Sequence, residues 1–325
     1  MTQIVSRRAF AASVIALAVA PAGNAQAAPP SEIRIDWATY NPVSLVLKDQ
    51  GLLEREFGRD KIGIRWVFSA GSNKALEFLN AGSLDFGSTA GAAALIGKVN
   101  GNPLKSVYIY SRPEWTALVI KANSPVTAVA DLKGKRIAVT RGTDPHIFLV
   151  RALAGAGLSE KDVKLVLLQH ADGRTALERG DVEAWAGLDP LMAASEIENG
   201  ARLLYRKPEA NTWGVLNVRE TFASENPNVV RRVLATYEKA RSWAVDNPDE
   251  LKAMMMTATK LSDAVIIRQL ERTDMSRGQI GEVQAATIIE AGKALQAAGV
   301  LDPSLDIAVI THGMIDGSFA RAAGA

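Results

Sequence analysis

Two stretches of the chain repeat one pattern of apolar and polar positions. The first alternates through Ile33-Arg34-Ile35-Asp36-Trp37, turns at Thr39-Tyr40-Asn41-Pro42, and runs apolar through Leu47 to Gly51-Leu52. The second reads Arg136-Ile137-Ala138-Val139, turns at Thr140-Arg141-Gly142-Thr143-Asp144-Pro145, and runs apolar through Leu153 to Gly157-Leu158. Each predicts a strand, a tight turn, and a helix with an Asn or Asp N-cap and Pro in the first helical turn. A short strand follows in each copy (Ile62 to Trp66; Val163 to Leu167), then a small helix around Ala75-Leu76-Glu77 or Ala176-Leu177-Glu178. Both copies then lead into a further strand through a Gly-polar-aliphatic-acid step, Gly82-Ser83-Leu84-Asp85 and Gly180-Asp181-Val182-Glu183. Two copies at so long a period predict two similar α/β lobes and not a solenoid. Helix N-termini at strand C-terminal ends attract small anions and polar ligands, so two facing lobes imply a cleft.

The rest of the pattern supplies connections and a helical end. Ser106 to Tyr110 alternates as a strand, Ser111-Arg112-Pro113-Glu114 breaks it, and Trp115 to Ile120 starts another; the break predicts a first crossing between lobes. Trp213 to Val218 predicts a strand returning to the first lobe. Beyond it, Asn226-Pro227 opens a helix with the stripe Val230, Val233, Leu234, Tyr237, the Arg241 stem and Ala244. Asn247-Pro248, Ser262-Asp263 and Gly281 open three more. Two crossings make a hinge of the kind that closes around a ligand. The expected division is residues 28–112 with 214–325 as lobe I, and 113–213 as lobe II.

The first residues change the picture of location. Ser6-Arg7-Arg8-Ala9-Phe10, an apolar run from Ala11 to Ala20, and Ala25-Gln26-Ala27 predict a signal peptide, residues 1–27, cleaved after Ala27. The Arg pair fits a twin-arginine signal as well as an ordinary secretory one. Either way the mature chain is expected to be periplasmic, and with no cysteine it holds no disulfide or lipidated Cys. Removing 27 residues, with two Arg and no acid, takes 325 residues at +2 to 298 at zero formal charge. Neutrality argues against a nucleic-acid partner or an anionic membrane surface.

Catalytic and cofactor signatures find no match. The three histidines, His146, His170 and His312, lack ligand spacing, so neither a metal nor another cofactor is expected. In Gly87-Ser88-Thr89-Ala90-Gly91 a Thr stands where a nucleophile elbow needs Ser. Gly91 to Lys98 is one residue too long for a phosphate-binding loop, and Val99 replaces its hydroxyl residue. Export, two lobes and these mismatches favour binding over catalysis.

Three blocks carry a family resemblance: Gly82 to Thr89; Asn123-Ser124-Pro125 with Val129 to Lys135; and Gly180 to Trp185 with Asp189-Pro190. They resemble the aliphatic sulfonate-binding and taurine-binding proteins, periplasmic components of ABC importers with the type II solute-binding fold. The resemblance spans nearly the whole mature chain and implies a monomer that takes a small-molecule ligand and docks on permease subunits in the inner membrane. It implies cleft loops at Thr39-Tyr40-Asn41, Ser69-Ala70-Gly71, Gly87-Ser88-Thr89 and Thr140 to His146, with Trp185 and Asp189 beside the last. The candidate ligand residues are therefore Tyr40, Asn41, Gly71, Ser88, Thr89, Trp115, Thr143, Asp144, His146, Trp185, Asp189 and Trp213. Each has a plainer reading. Asn41 and Asp144 can cap their own helices, Ser88 and Thr89 can be turn residues, Trp185 can be core, Asp189-Pro190 can start a helix, and Trp115 and Trp213 can pack a hinge. Trp37, Trp66 and Trp243 read as core. Sulfonate binders are rich in Ser before the loop His and often aromatic before the Asp; here the residues are Gly142-Thr143-Asp144-Pro145-His146 and Leu188. A carboxylate in the cleft favours a zwitterionic ligand, with His146 donating to its anionic end. Two other readings stay open: an enzyme on the same fold, similar to pyrimidine-precursor synthases, and a ligand-binding partner of a periplasmic sensor.

Overall fold

The computed structural model describes residues 29–322, so the expected signal peptide and its cleavage site lie outside the described residues. The strands in chain order are β1 Glu32–Trp37, β2 Gly63–Phe68, β3 Phe86–Ala90, β4 Leu104–Pro113, β5 Leu118–Ile120, β6 Arg136–Val139, β7 Lys164–Leu167, β8 Ala184–Ala186, β9 Arg202–Tyr205, β10 Gly214–Arg219 and β11 Thr273–Asp274. The helices are α1 Pro42–Asp49, α2 Leu52–Phe57, α3 Ser72–Asn80, α4 Gly91–Val99, α5 Asp144–Gly155, α6 His170–Arg179, α7 Leu191–Asn199, α8 Glu220–Glu225, α9 Pro227–Asp246, α10 Pro248–Thr259, α11 Asp263–Glu271, α12 Glu282–Ala297, α13 Ile307–Met314 and α14 Ser318–Ala322.

They form two α/β lobes with one topology. The first sheet runs β11-β4-β10-β3-β1-β2 and the second β7-β6-β8-β5-β9. In each, a parallel trio (β2-β1-β3; β7-β6-β8) comes from the repeated strand–helix–strand–helix unit. Each trio is extended by an antiparallel strand that arrives through a crossing, β10 beside β3 and β5 beside β8. Parallel neighbours need helical crossovers, so helices cover the sheets and the central strands β3 and β8 are buried throughout, while the edge strands β2 and β7 are half-exposed.

The first lobe's core holds β1, β3, β4 and β10 against α1, α4, α9 and α12, with Ile35, Phe86, Tyr108 and Tyr237 fully buried. That core also takes in Ile147 and Val150 of α5 and Leu188, so the lobes are packed on each other. The second sheet has an apolar cluster on each face, one around Phe148 and Leu153, the other around Trp185 and Leu177. Trp37, Trp66 and Trp243 are only half-buried: they sit at the margin of the first core, where Trp37 meets Phe68 and the Lys48 ammonium. Helix α9 buries Val230, Val233, Leu234, Tyr237 and Ala244 as its stripe predicts. Among the described residues no helix is long and apolar enough to cross a membrane.

Candidate functional site

Six helices start just past strand C-terminal ends: α1, α3 and α4 in the first lobe, α5, α6 and α7 in the second. A small cavity of about 10 Å³, measured as the space open to water centres, lies between them, walled by both lobes. A cavity needs about 10–15 Å³ of such space to hold a water, so in this arrangement there is room for about one water molecule. Tyr40 and Ser72 come from the first lobe, Trp115 from the first crossing, and Thr143, Asp144, Pro145, His170 and Leu188 from the second. Of the residues proposed from sequence, the structure thus gathers Tyr40, Trp115, Thr143 and Asp144 at one cavity, with Gly71 against it.

Tyr40 meets Trp115 edge-on, ring centroids 6.0 Å apart, and its hydroxyl donates to the Ser88 carbonyl at 3.0 Å. Burial raises its pKa well above 10, so it stays a donor. Asp144 does not cap its own helix; Thr143 is the N-cap residue. The Asp144 carboxylate instead accepts from Trp115 Nε1 at 2.8 Å, the Thr212 amide at 3.1 Å and the Thr212 hydroxyl at 2.8 Å. Trp115 lies on the first crossing and Thr212 on the second, and a sequence cannot show that both arrive at one helix start. Burial raises the Asp144 pKa, and these three donors oppose the rise. The Thr143 hydroxyl donates to the Thr140 carbonyl at 2.6 Å.

The other candidates are engaged elsewhere and are not among the lining residues. Asn41 caps α1 through the Ser44 amide and donates to Ser88 Oγ and the Tyr237 hydroxyl, both at 2.8 Å. Ser88 is fully buried and donates through its amide and hydroxyl to Asp36 at 2.9 and 2.8 Å. Thr89 Oγ1 accepts from Asn217 Nδ2 at 2.8 Å. His146 pairs with Glu160 through Nε2 at 2.8 Å, away from the cavity lining. Trp185 is fully buried beneath Gly173 of α6. Asp189 accepts from the Ala193 amide at 2.8 Å and faces Arg272 at 3.5 Å. Trp213 lies under the Arg112 guanidinium, 5.1 Å from the ring centroid.

Sequence reasoning passed over two residues that line the cavity, Ser72 and His170, and the buried acid Asp36. His170 opens α6, only 3% exposed, its ring against Gly71, where an added Cβ would come within 3.0 Å of Nε2. Burial pulls its pKa down to about 3, so it is neutral. The internal repeat held the signal, because His170 starts the helix that matches α3, which starts at Ser72. Asp36 stood out as an acid ending an apolar strand; burial pushes its carboxyl up to about 6.

Known proteins were compared with this chain. A family model described as NMT1/THI5 like matches residues 57–251. The alkanesulfonate-binding protein SsuA from Xanthomonas axonopodis pv. citri, solved bound to MOPS, superposes with a TM-score of 0.80 at 27% identity, over 89% of this chain and 99% of that one. The periplasmic aliphatic sulphonate binding protein SsuA from Escherichia coli gives 0.73 at 28% identity, over 86% and 91%. A taurine-binding periplasmic protein of Escherichia coli (strain K12) is 31% identical over 141 residues, 41% of this chain and 42% of that one.

Two outcomes follow from the geometry. Asp144→Asn puts an amide N–H₂ against a buried donor, so urea unfolding should show a loss of about 1–3 kcal/mol; an unchanged midpoint would mean that the carboxylate does not hold the crossings. The Asp189 carboxyl is raised by burial from 3.8 to about 7. The folded chain therefore holds this proton where the unfolded chain has lost it. Wild-type stability relative to Asp189→Asn should fall as pH rises from about 4 to about 7 and then level off. A relative stability that rises across that window contradicts the assignment.

Proposed function

The chain belongs to the NMT1/THI5-like family, and from that premise we propose that it is the periplasmic solute-binding component of an ABC importer. Its ligand is a small acidic organic molecule, an aliphatic sulfonate or aminosulfonate, bound between the lobes without turnover and delivered by a monomer to permease subunits. The observation that carries this reading is the small cavity at the helix starts of two lobes joined by two crossings. Helices α3, α5 and α6, of 9, 12 and 10 residues, all begin at that cavity. Helix N-termini carry unpaired N–H groups and about half a positive charge each, which suits a sulfonate where no Lys or Arg is among the lining residues.

The aromatic wall suits the short carbon chain of such a ligand. Tyr40 and Trp115 give apolar ring surface, and Leu188 adds an aliphatic side. The names of the similar proteins, alkanesulfonate-binding, aliphatic sulphonate binding and taurine-binding, support the same ligand class. In this reading Tyr40, Ser72, Trp115, Thr143 and His170 touch the ligand, and residues 113–213 move as the second lobe.

A thermal-shift panel of sulfonates, sulfate, nitrate, amino acids and pyrimidines tests it on the mature chain. At a hundredfold its dissociation constant a true ligand stabilises the fold by about 2.7 kcal/mol, a rise of several degrees. A sulfonate should give that rise. A rise with a pyrimidine and none with any sulfonate would overturn the proposal.

A further inference from the structure

Nearly every polar side chain at the cavity already has a partner. Tyr40 donates to the Ser88 carbonyl, Trp115 to Asp144, and Thr143 to the Thr140 carbonyl. Ser72 Oγ accepts from the Ala90 amide at 3.0 Å. His170 Nε2 is the exception: it is buried at the cavity and has no partner among the described residues. A buried nitrogen of this kind costs stability unless something pairs with it.

The ring's hydrogen can be placed. Thr140 Oγ1 lies 2.7 Å from the Leu168 carbonyl oxygen, which can only accept, so the hydroxyl hydrogen is committed there. The same Oγ1 lies 3.2 Å from His170 Nδ1 and is left to accept, so Nδ1 carries the hydrogen. A neutral imidazole protonated at Nδ1 presents a bare lone pair at Nε2. The cavity thus holds a fixed acceptor beside Gly71 and Ser72, at the start of α3. A sulfonate has no hydrogen to give that acceptor, and a methyl group would leave it dry and unpaired.

We propose that His170 is the specificity-determining residue of this cavity, selecting sulfonates that carry an N–H or O–H donor, such as aminoalkane- and hydroxyalkanesulfonates, over plain alkanesulfonates of equal length. The inference rests on the interlobe cavity being the ligand site. The acidic group lies at the helix starts, where the Ser72 hydroxyl can donate to it, and the ammonium or hydroxyl reaches Nε2. Leaving a buried acceptor unpaired weakens binding about ten- to a hundredfold.

Calorimetry with taurine, isethionate and ethanesulfonate, on the mature wild-type chain and on His170→Ala and His170→Gln, tests it. Wild type should prefer taurine and isethionate to ethanesulfonate by about tenfold or more, and His170→Ala should shrink that preference to about threefold or less while melting close to wild type. His170→Gln, whose amide can turn either end to the ligand, should bind all three with little preference. Equal affinity of wild type for the three overturns the role of His170 alone. Failure of all three to bind overturns the sulfonate reading and this preference with it. Nitrogen-15 shifts of the His170 ring decide the tautomer independently of any ligand: a hydrogen on Nδ1 and none on Nε2 is expected, and the reverse overturns the proposal.

Discussion

One buried carboxylate ties together the two chain crossings between the lobes. Asp144, at the first position of α5, takes hydrogen bonds from Trp115 on the first crossing and from the Thr212 amide and hydroxyl on the second. An isolated carboxylate in that position would be too costly to bury; three donors, two of them side chains locked by packing, offset the desolvation. The crossings are also joined to each other, since the Thr116 amide donates to Asn211 Oδ1 at 3.0 Å. β4 itself continues through the expected break at Ser111 to Pro113, where Arg112 and Pro113 pair with β11. The Asp144 contact fixes the Trp115 indole as a wall of the cavity, with Tyr40 edge-on against it. The joint between the crossings and the cavity wall are one construction.

Other contacts between the lobes differ in kind. Ile147, Val150 and Leu188 bury apolar surface in the first lobe's core, each side chain stabilising the packed arrangement by about 1.5–3 kcal/mol. Arg272, beside α11, faces Asp189 at 3.5 Å and pairs with Glu196 of α7, while Arg268 lies 3.7 Å from Glu196. The Arg272–Glu196 pair is nearly buried, so desolvation cancels most of its attraction, yet removing one partner is costly. The apolar contacts thus carry most of the energy that holds the lobes together.

Much of this was legible in the sequence because it is local. The strand–turn–helix order, the Asn41 cap and the α9 stripe are set by residues within one or two turns of each other, and each appears where the pattern predicts. Strand β11 and the helices from Gly91, Ile307 and Ser318 were not, since packing and not a periodic pattern defines them. The role of Asp144 was misjudged for a physical reason. A carboxylate at a helix start looks like a cap, and only tertiary structure shows that Trp115 and Thr212, 29 and 68 residues away, reach it first. Ser88, read from sequence as a loop residue just past a strand, lies in the middle of β3, and its hydroxyl belongs to a network with Asp36, Asn41 and Tyr237 that no spacing reveals. His170 was the avoidable omission: the family resemblance pointed to the Ser69-Ala70-Gly71 loop before α3, and the repeat puts Leu168-Gln169-His170 at the matching start of α6.

The central claim is that the ligand is held between two lobes that hinge at the Asp144 contact. The chain has no cysteine, so spin labels at Arg59→Cys and Lys161→Cys, equivalent exposed positions in the two lobes, report only the distance between them. Pulsed electron–electron spectroscopy with and without taurine measures that distance directly. A distribution that narrows toward its short end on taurine addition, and broadens again when taurine is dialysed away, is the predicted result. Taurine that binds by calorimetry yet leaves the distribution unchanged would contradict the account.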